Sequence, residues 1–286
     1  MRNRLSNELV ICGFNAVKTL ASTHPEEVNR FFLREEHLKK FTELCRLLAQ
    51  KRHPYKLCDD EELERICKSP RHQGVVAMVP ERIIQALDQK SFDDIIENGE
   101  NILVLDSVGN DNNLGAIARS AAFFGVKHLI INQTDEEVYL TTSAHRVAEG
   151  GMEYVQVHSI RDIEHFLTDA SKNMTVVGAD HRAEKSLREL ARIRKKAATG
   201  VHGAASARFG LGAHIPVAIV LGNEERGLSA GARKACTGLV RIPGTGNMES
   251  LNVAQAANLF MYRYHKLDGL VTRWSVHCCW LYNRFC

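Results

Sequence analysis

The chain lacks the features that mark several specialised classes of protein. No apolar run approaches the roughly 20 residues that a helix needs to cross a bilayer, and the start, with Arg2, Arg4 and Glu8, makes a poor export signal. The eight cysteines form no C-x-x-C pair, so neither a zinc ribbon nor a disulfide framework is predicted. We therefore expect a cytoplasmic protein with reduced thiols, no membrane segment and no metal site.

Length and charge suggest two domains and a polyanionic partner. The chain has 286 residues, 44% of them hydrophobic and 25% charged, which suits two folded domains better than one. The net charge is only +3, but residues 1–80 carry 14 Lys and Arg against 11 Asp and Glu, and residues 181–210 carry 8 against 2. Such basic segments suit a polyanion, although a solvated basic face produces the same local excess.

Apolar periodicity divides the chain into two α/β units. Residues 7–80 are predicted to form a small unit with a short strand near each end and a helix within residues 33–51. Residues 81–99 are strongly charged and are interpreted as a linker that includes a first helix. Residues 100–266 are predicted to form the larger unit.

The larger unit is predicted to be a parallel, doubly wound sheet, because its short apolar runs alternate with helical patterns. The predicted strands are 102–105, 128–131, 175–178, 217–221 and 239–242, and the predicted helices include 114–124 and 251–264. Ligands bind beyond the carboxyl ends of such strands. Polar residues that follow these runs are therefore candidate site residues.

Two segments do not fit this plan. Residues 181–214 are interpreted as a basic insertion, in which an amphipathic stretch is followed by a run rich in glycine and alanine. Its basic side chains include Arg188, Arg192, Arg194, Lys195 and Lys196. The aromatic tail, residues 267–286, either covers a subunit interface or has no function.

The first candidate motif runs from Asp106, at the end of a predicted strand, to Arg119. Its polar loop is predicted to place Asn113 as the N-cap of a helix that ends at Phe124. Alanines around Arg119 would let this helix pack closely and leave the guanidinium to reach back to the loop. A capped helix with a surface arginine is the competing interpretation.

The second candidate motif follows the apolar strand at 217–221. Gly222 allows a ligand to approach the backbone, and Asn223 and Glu224 come next. A carboxylate at a strand end can accept hydrogen bonds from ribose hydroxyls. The competing interpretation is an ordinary turn into a helix that begins near Ser229.

The third candidate motif begins with Ile242 and Pro243 and ends where Ser250, Leu251 and Asn252 open the last helix. The N–H groups of a helix start can point at a ligand. Each of the three motifs follows a predicted strand in the same unit. Together they predict one small-molecule site at the edge of the sheet.

In order and spacing, these motifs resemble those of the SpoU family of RNA ribose 2′-O-methyltransferases, also called TrmH-like. The resemblance covers about residues 101–265 and departs from the family at Asp111, where members commonly have proline. The first unit, through the segment around Asn15 and through His72-Gln73-Gly74, resembles the ribosomal-protein-like RNA-binding domain that precedes the catalytic domain in many members.

The resemblance implies a cofactor, a fold and an assembly. The cofactor is S-adenosyl-L-methionine, the catalytic domain contains a deep trefoil knot, and two subunits complete each other's sites in a homodimer. By motif match the cofactor contacts are Gly222, Asn223, Glu224, Ile242, Pro243, Leu251 and Asn252. The implied catalytic residues are Asn113, Arg119, Glu224, Ser250 and Asn252. RNA contacts are expected from Asn15, Arg119 and the basic residues of the insertion, and no DNA or membrane partner is expected.

The implied reaction transfers a methyl group from a sulfonium to a ribose 2′ oxygen, which needs in-line positioning and removal of the hydroxyl proton. Arg119 matches the family residue proposed to activate the hydroxyl, but a guanidinium stays protonated in proteins. Arg119 is either a base in an unusual field or, the version we favour, a group that positions the substrate and stabilises developing charge. Asn113, Ser250 and Asn252 are then expected to orient Arg119 and the ribose.

Two other functions compete with this one. A non-catalytic RNA-binding protein could retain the fold, although the joint presence of the candidate catalytic residues argues against it. A nucleotide-binding dehydrogenase would share the sheet type, but no G-x-G-x-x-G follows a predicted strand. The sequence does not distinguish ribosomal RNA from transfer RNA as the target.

Overall fold

The computed structural model describes residues 7–132, 140–190, 192–193 and 215–267, with side chains as far as Tyr264. The predictions for Arg194, Lys195 and Lys196 and for the tail beyond residue 267 lie outside these ranges. Within them, no helix is long and apolar enough to cross a membrane.

The amino-terminal sheet is mixed and small. Among the described residues it contains β1 (Glu8–Cys12), β2 (Arg30–Leu33), β3 (Tyr55–Leu57) and β4 (Val75–Pro80), in the order β1-β4-β2-β3. Its helices are α1 (Phe14–Thr23), α2 (Thr42–Lys51) and α3 (Asp60–Cys67). The helix predicted within 33–51 is confirmed only for α2, because a 3₁₀ segment, Glu35–Phe41, precedes it.

The second sheet is parallel throughout, as predicted. In the described part of the chain its strands are β5 (Gln85–Ala86), β6 (Ile102–Asp106), β7 (His128–Asn132), β8 (Gln156–Ile160), β9 (Thr175–Ala179), β10 (Val217–Leu221) and β11 (Gly238–Val240). Their order is β11-β9-β10-β6-β7-β8-β5. The accompanying helices are α4 (Gln89–Glu97), α5 (Asp111–Phe124), α6 (Thr142–Ala148), α7 (Ile163–Ala170), α8 (Ala230–Ala235) and α9 (Val253–Leu267).

Helices cover both faces of this sheet because successive side chains of each buried strand point to opposite sides. In β6, Leu103 and Leu105 pack in one core with residues of α5, α6 and α9, whereas Ile102 and Val104 pack in another core with residues of α4, α7 and α8. All four side chains are at most 1% exposed. The doubly wound architecture predicted from the apolar runs is therefore confirmed.

Three details of the second sheet differ from prediction. Strand β8 was not predicted, because its sequence is half polar and most of its side chains are only partly buried. Strand β11 ends at Val240 rather than at residue 242. Strand β5 lies within residues 81–99, so the predicted linker supplies an edge strand to the sheet as well as α4.

After β11 at the sheet edge, the chain returns to the centre, where α9 lies against α5. Arg241 pairs with Ser186 in an isolated parallel bridge on the way. Leu187, Leu190 and Ile193 are buried in the same core as α9. The first part of the segment interpreted as an insertion is therefore integrated into the fold.

An ion-pair network around the buried carboxylate of Glu153 connects the two sheets. The guanidinium of Arg82 donates to both carboxylate oxygens of Glu153, at 2.9 Å each, and to Glu27 at 2.7 Å. His24 Nδ1 lies 3.1 Å from the same Glu153 carboxylate. Because the Glu153 side chain is only 2% exposed, these contacts hold α1 and the segment after it against the second sheet.

Candidate active site

The three candidate motifs converge in the structure. Asn113 on α5 donates from its side-chain Nδ2 to a carboxylate oxygen of Glu224, and Asn252 Nδ2 donates to Asn113 Oδ1 at 3.0 Å. The motif-one and motif-two loops follow β6 and β10, which are neighbouring strands, and α9 brings Asn252 beside α5. We call Asn113, Glu224 and Asn252 the polar triad.

The start of α5 differs from its prediction. Asn110, not Asn113, is the N-cap, and its Oδ1 accepts a hydrogen bond of 2.8 Å from the backbone N–H of Asn112. Asp111 is therefore the first helical residue, the position at which the family's proline is well tolerated. The earlier start frees Asn113 to join the triad instead of capping the helix.

The loop after β10 is held by its own backbone. Asn223 and Gly227 exchange backbone hydrogen bonds of 3.1 and 2.9 Å, and Asn223 Nδ2 donates to the carbonyl of Ser107 at 3.0 Å. A Cβ added to Gly222 would lie 2.2 Å from the carbonyl carbon of Gly227. Gly222 therefore permits this tight turn, a reason that differs from the predicted approach of a ligand.

Asp106 has a structural role that the sequence interpretation missed. Its side chain is buried at the end of β6, and Oδ2 accepts a 2.7 Å hydrogen bond from the backbone N–H of Ser229. Ser229 in turn caps α8 through its hydroxyl, as the predicted helix near this residue requires. The signal was present in the sequence, because an acid that ends an apolar strand needs a buried partner.

The third motif combines a cap with an open apolar surface. Asn252 Oδ1 accepts a 2.9 Å hydrogen bond from Ala254 N at the start of α9. Ile242 packs partly into the core, whereas Pro243 and Ser250 are exposed. Leu251 is 47% exposed beside the triad, which leaves apolar surface and helix-start backbone for a ligand.

Arg119 lies apart from the triad in the described chain. Its Nη1 pairs with Glu149 Oε1 at 3.1 Å, and Asn15 Nδ2 donates to Glu149 Oε2 at 3.2 Å. Arg119 follows Asn113 by six residues, which places it about 9 Å along α5 and about 120° around it. The expectation that Asn113, Ser250 and Asn252 orient Arg119 is therefore not met within one chain.

The predicted RNA-binding residues that the structure describes are exposed. Arg188 and Arg192 lie on the outer side of the segment whose apolar side chains are buried. The backbone carbonyl of Arg188 accepts a 3.1 Å hydrogen bond from Arg263, which joins this segment to α9.

Comparison with known proteins gives matches along nearly the whole chain. Residues 100–262 match the model of the SpoU rRNA Methylase family, and residues 10–84 match the model named RNA 2′-O ribose methyltransferase substrate binding. The chain is 28% identical over 263 residues to the 23S rRNA (guanosine-2′-O-)-methyltransferase RlmB of Bordetella pertussis. This alignment covers 90% of this chain and 97% of that protein.

A second relative and a solved structure extend the comparison. RlmB of Acinetobacter baylyi is 31% identical over 260 residues, covering 87% of this chain and 94% of that protein. The fold is similar to that of the SpoU methyltransferase AviRb of Streptomyces viridochromogenes, which was solved in complex with AdoMet, with a TM-score of 0.65, 22% identity and 94% coverage of both chains.

Proposed function

We infer that this chain, which belongs to the SpoU rRNA methylase family, transfers a methyl group from S-adenosyl-L-methionine to a ribose 2′-hydroxyl of RNA. The observation that carries the inference is the hydrogen-bonded polar triad, which joins residues 113, 224 and 252 of three separate motifs. An RNA-binding protein without activity would have no need to keep a carboxylate and two amides in register across 139 residues.

The proposed target is a guanosine ribose of 23S rRNA. Both relatives named above carry that activity in their names, and each is matched over more than nine tenths of its length. Within the chain, residues 7–80 are proposed as the RNA-binding domain, residues 81–99 as the linker and residues 100–266 as the catalytic domain. Such a reaction on ribosomal RNA takes place in the cytoplasm, where we place the protein.

The proposed cofactor fits the loops beside the triad. Gly222, Ile242 and Leu251 offer backbone groups, and the exposed Leu251 side chain offers apolar surface for an aromatic ring. Asn223, Pro243 and Asn252 complete the proposed contacts. When bound, S-adenosyl-L-methionine supplies an electrophilic methyl group on a sulfonium. The Glu224 carboxylate can accept hydrogen bonds from hydroxyl groups in this pocket.

We assign Arg119 to positioning and charge stabilisation, with Ser250 contacting the ribose. Because Arg119 pairs with Glu149 in its own chain, we propose a homodimer in which Arg119 of one copy faces the polar triad of the other. Helices α5 and α9 carry exposed aromatic side chains that support this interface: Phe123 is 72% exposed and Tyr262 is 48% exposed. A trefoil knot formed by the return of the chain to α9 is part of the same proposal.

The first experiment combines cofactor binding with methyl transfer. We expect the wild type to bind S-adenosyl-L-methionine in isothermal titration and to transfer labelled methyl groups to 23S rRNA that lacks the modification. Asn252→Ala should bind the cofactor at least about tenfold more weakly, because it removes a triad hydrogen bond and a helix cap. Arg119→Ala should keep cofactor affinity but lose transfer.

Exposed Arg161 provides the matched control, since Arg161→Ala makes the same change away from the motifs. A wild type that gives no heat of binding and no transfer, yet retains 23S rRNA on a filter, would support the non-catalytic alternative. Near-normal turnover of Arg119→Ala would remove that residue from the mechanism.

A further inference from the structure

A cleft of about 230 Å³ lies between the amino-terminal unit and helix α6. Asn15, Arg71 and Gln73 line it from the amino-terminal side, and Arg146 and Glu149 line it from α6 and the residue that follows. The two walls come from parts of the sequence more than 70 positions apart, so the cleft exists only because the two units are held together.

The cleft has an excess of positive charge. Among the described residues, neither the guanidinium of Arg71 nor that of Arg146 has a hydrogen bond or an ion pair, and Arg146 is only partly exposed. Glu149 is the acidic residue of the lining, and its two carboxylate oxygens are engaged by Asn15 and Arg119. Two uncompensated guanidinium groups that face one cleft favour an anion with several acceptor oxygens.

The cleft also adjoins the group to which we assign the reaction. Glu149 links it to Arg119 at 3.1 Å. Both Gln73 and Glu149, on opposite walls, have positive φ angles of 51° and 46°, which side chains other than glycine rarely adopt. Gln73 Oε1 accepts a 2.7 Å hydrogen bond from Phe14 N, which leaves the Gln73 amide hydrogens as donors.

We propose that this cleft binds the sugar–phosphate backbone of the substrate RNA, with a phosphate between Arg71 and Arg146. This assignment rests on the proposed function and adds to it a path by which RNA held by the amino-terminal unit reaches Arg119. The negative charge of a bound phosphate repels the Glu149 carboxylate. RNA binding therefore weakens the contact between Glu149 and Arg119 and releases the Arg119 guanidinium toward the substrate.

Filter binding of radiolabelled 23S rRNA transcript, measured across a series of salt concentrations, tests the cleft. Arg71→Gln and Arg146→Gln are each expected to weaken binding about tenfold at low salt and to reduce the slope of log K against log salt by about one. Glu149→Gln removes the opposing charge and is expected to tighten binding. Arg65→Gln and Arg161→Gln remove one exposed positive charge from each unit outside the cleft and serve as controls.

Isothermal titration with S-adenosyl-L-methionine and thermal melting check that every variant is folded. If Arg71→Gln and Arg146→Gln bind RNA with the affinity and salt slope of the two controls, the cleft is not a phosphate site. That result can coexist with full methyl transfer by the wild type. Conversely, both cleft variants could lose RNA binding while the wild type shows no methyl transfer. That result would support the cleft as a phosphate site and overturn the proposed function.

Discussion

At the residue scale, the candidate site depends on hydrogen bonds between side chains that lie far apart in the sequence. Asn113, Glu224 and Asn252 were predicted to share a site, and the structure connects them by hydrogen bonds. The partner of Arg119 could not be predicted, because Glu149 follows α6 and approaches α5 only through packing of the two helices. Helix packing of this kind depends on side chains far apart in the sequence.

Gly222 gives the sharpest prediction for a single residue. A Cβ at this position would meet backbone atoms of Gly227 at 2.2–2.4 Å, and backbone cannot move aside as a flexible side chain does. We expect Gly222→Ala to lower the free energy of unfolding by about 1–3 kcal/mol and to impair cofactor binding, because the loop that carries Glu224 must shift.

Urea unfolding and isothermal titration measure both effects. Gly109→Ala is the control, since a Cβ there meets nothing within 4 Å, and its stability should change by less than about 1 kcal/mol. Equal behaviour of the two variants would show that the turn tolerates a side chain.

At the scale of elements, apolar periodicity predicted the fully buried strands and missed a strand whose side chains are only partly buried. Strands β6 and β10 are continuous apolar runs, so their positions were predicted within one residue. Strand β8 alternates neither in polarity nor in exposure, and only its pairing with β7 and β5 makes it a strand. The start of α5 was misplaced because Asn110 and Asn113 are equally good caps by residue type.

The corrected start of α5 predicts that a proline at position 111 is tolerated. Asn110 has φ −102° and ψ 118°, angles that suit a residue before proline, and position 111 is the first of the helix. We expect Asp111→Pro to change stability by less than about 1 kcal/mol and to retain methyl transfer.

Asn112→Pro is the matched comparison for Asp111→Pro, because it deletes the N–H that donates the capping hydrogen bond to Asn110 Oδ1. This variant should lose about 1–2 kcal/mol, measured by urea unfolding. If Asp111→Pro destabilises the protein as much as Asn112→Pro does, the helix starts later than the structure indicates.

At the scale of the whole molecule, the arrangement of the two units depends on contacts that no local pattern announces. Arg82 lies in the predicted linker, yet it is the centre of a network that includes Glu27 and Glu153. Burial lowers the pKa of this guanidinium, but the hydrogen bonds and charges of Glu153 and Glu27 raise it by more. The pKa is therefore raised overall, and the charge is retained. These contacts hold α1, which carries Asn15 of the cleft, against the second sheet.

The distance between Arg119 and the polar triad along α5 leads to a prediction for the homodimer. If Arg119 of one copy serves the triad of the other, Arg119→Ala and Asn252→Ala disable different halves of the same site. Each variant alone should be inactive in methyl transfer. After subunit exchange at equal concentrations, half of the dimers are mixed and each has one intact site, so about one quarter of wild-type activity should return.

Labelled methyl transfer to 23S rRNA, followed over the time of subunit exchange, measures this recovery. Arg119→Ala mixed with Arg161→Ala controls for dilution, because the second variant keeps both Arg119 and the polar triad. Recovery near one quarter would establish that the site is shared between subunits. A mixture that stays inactive, although light scattering shows dimers that exchange, would mean that Arg119 acts within its own chain.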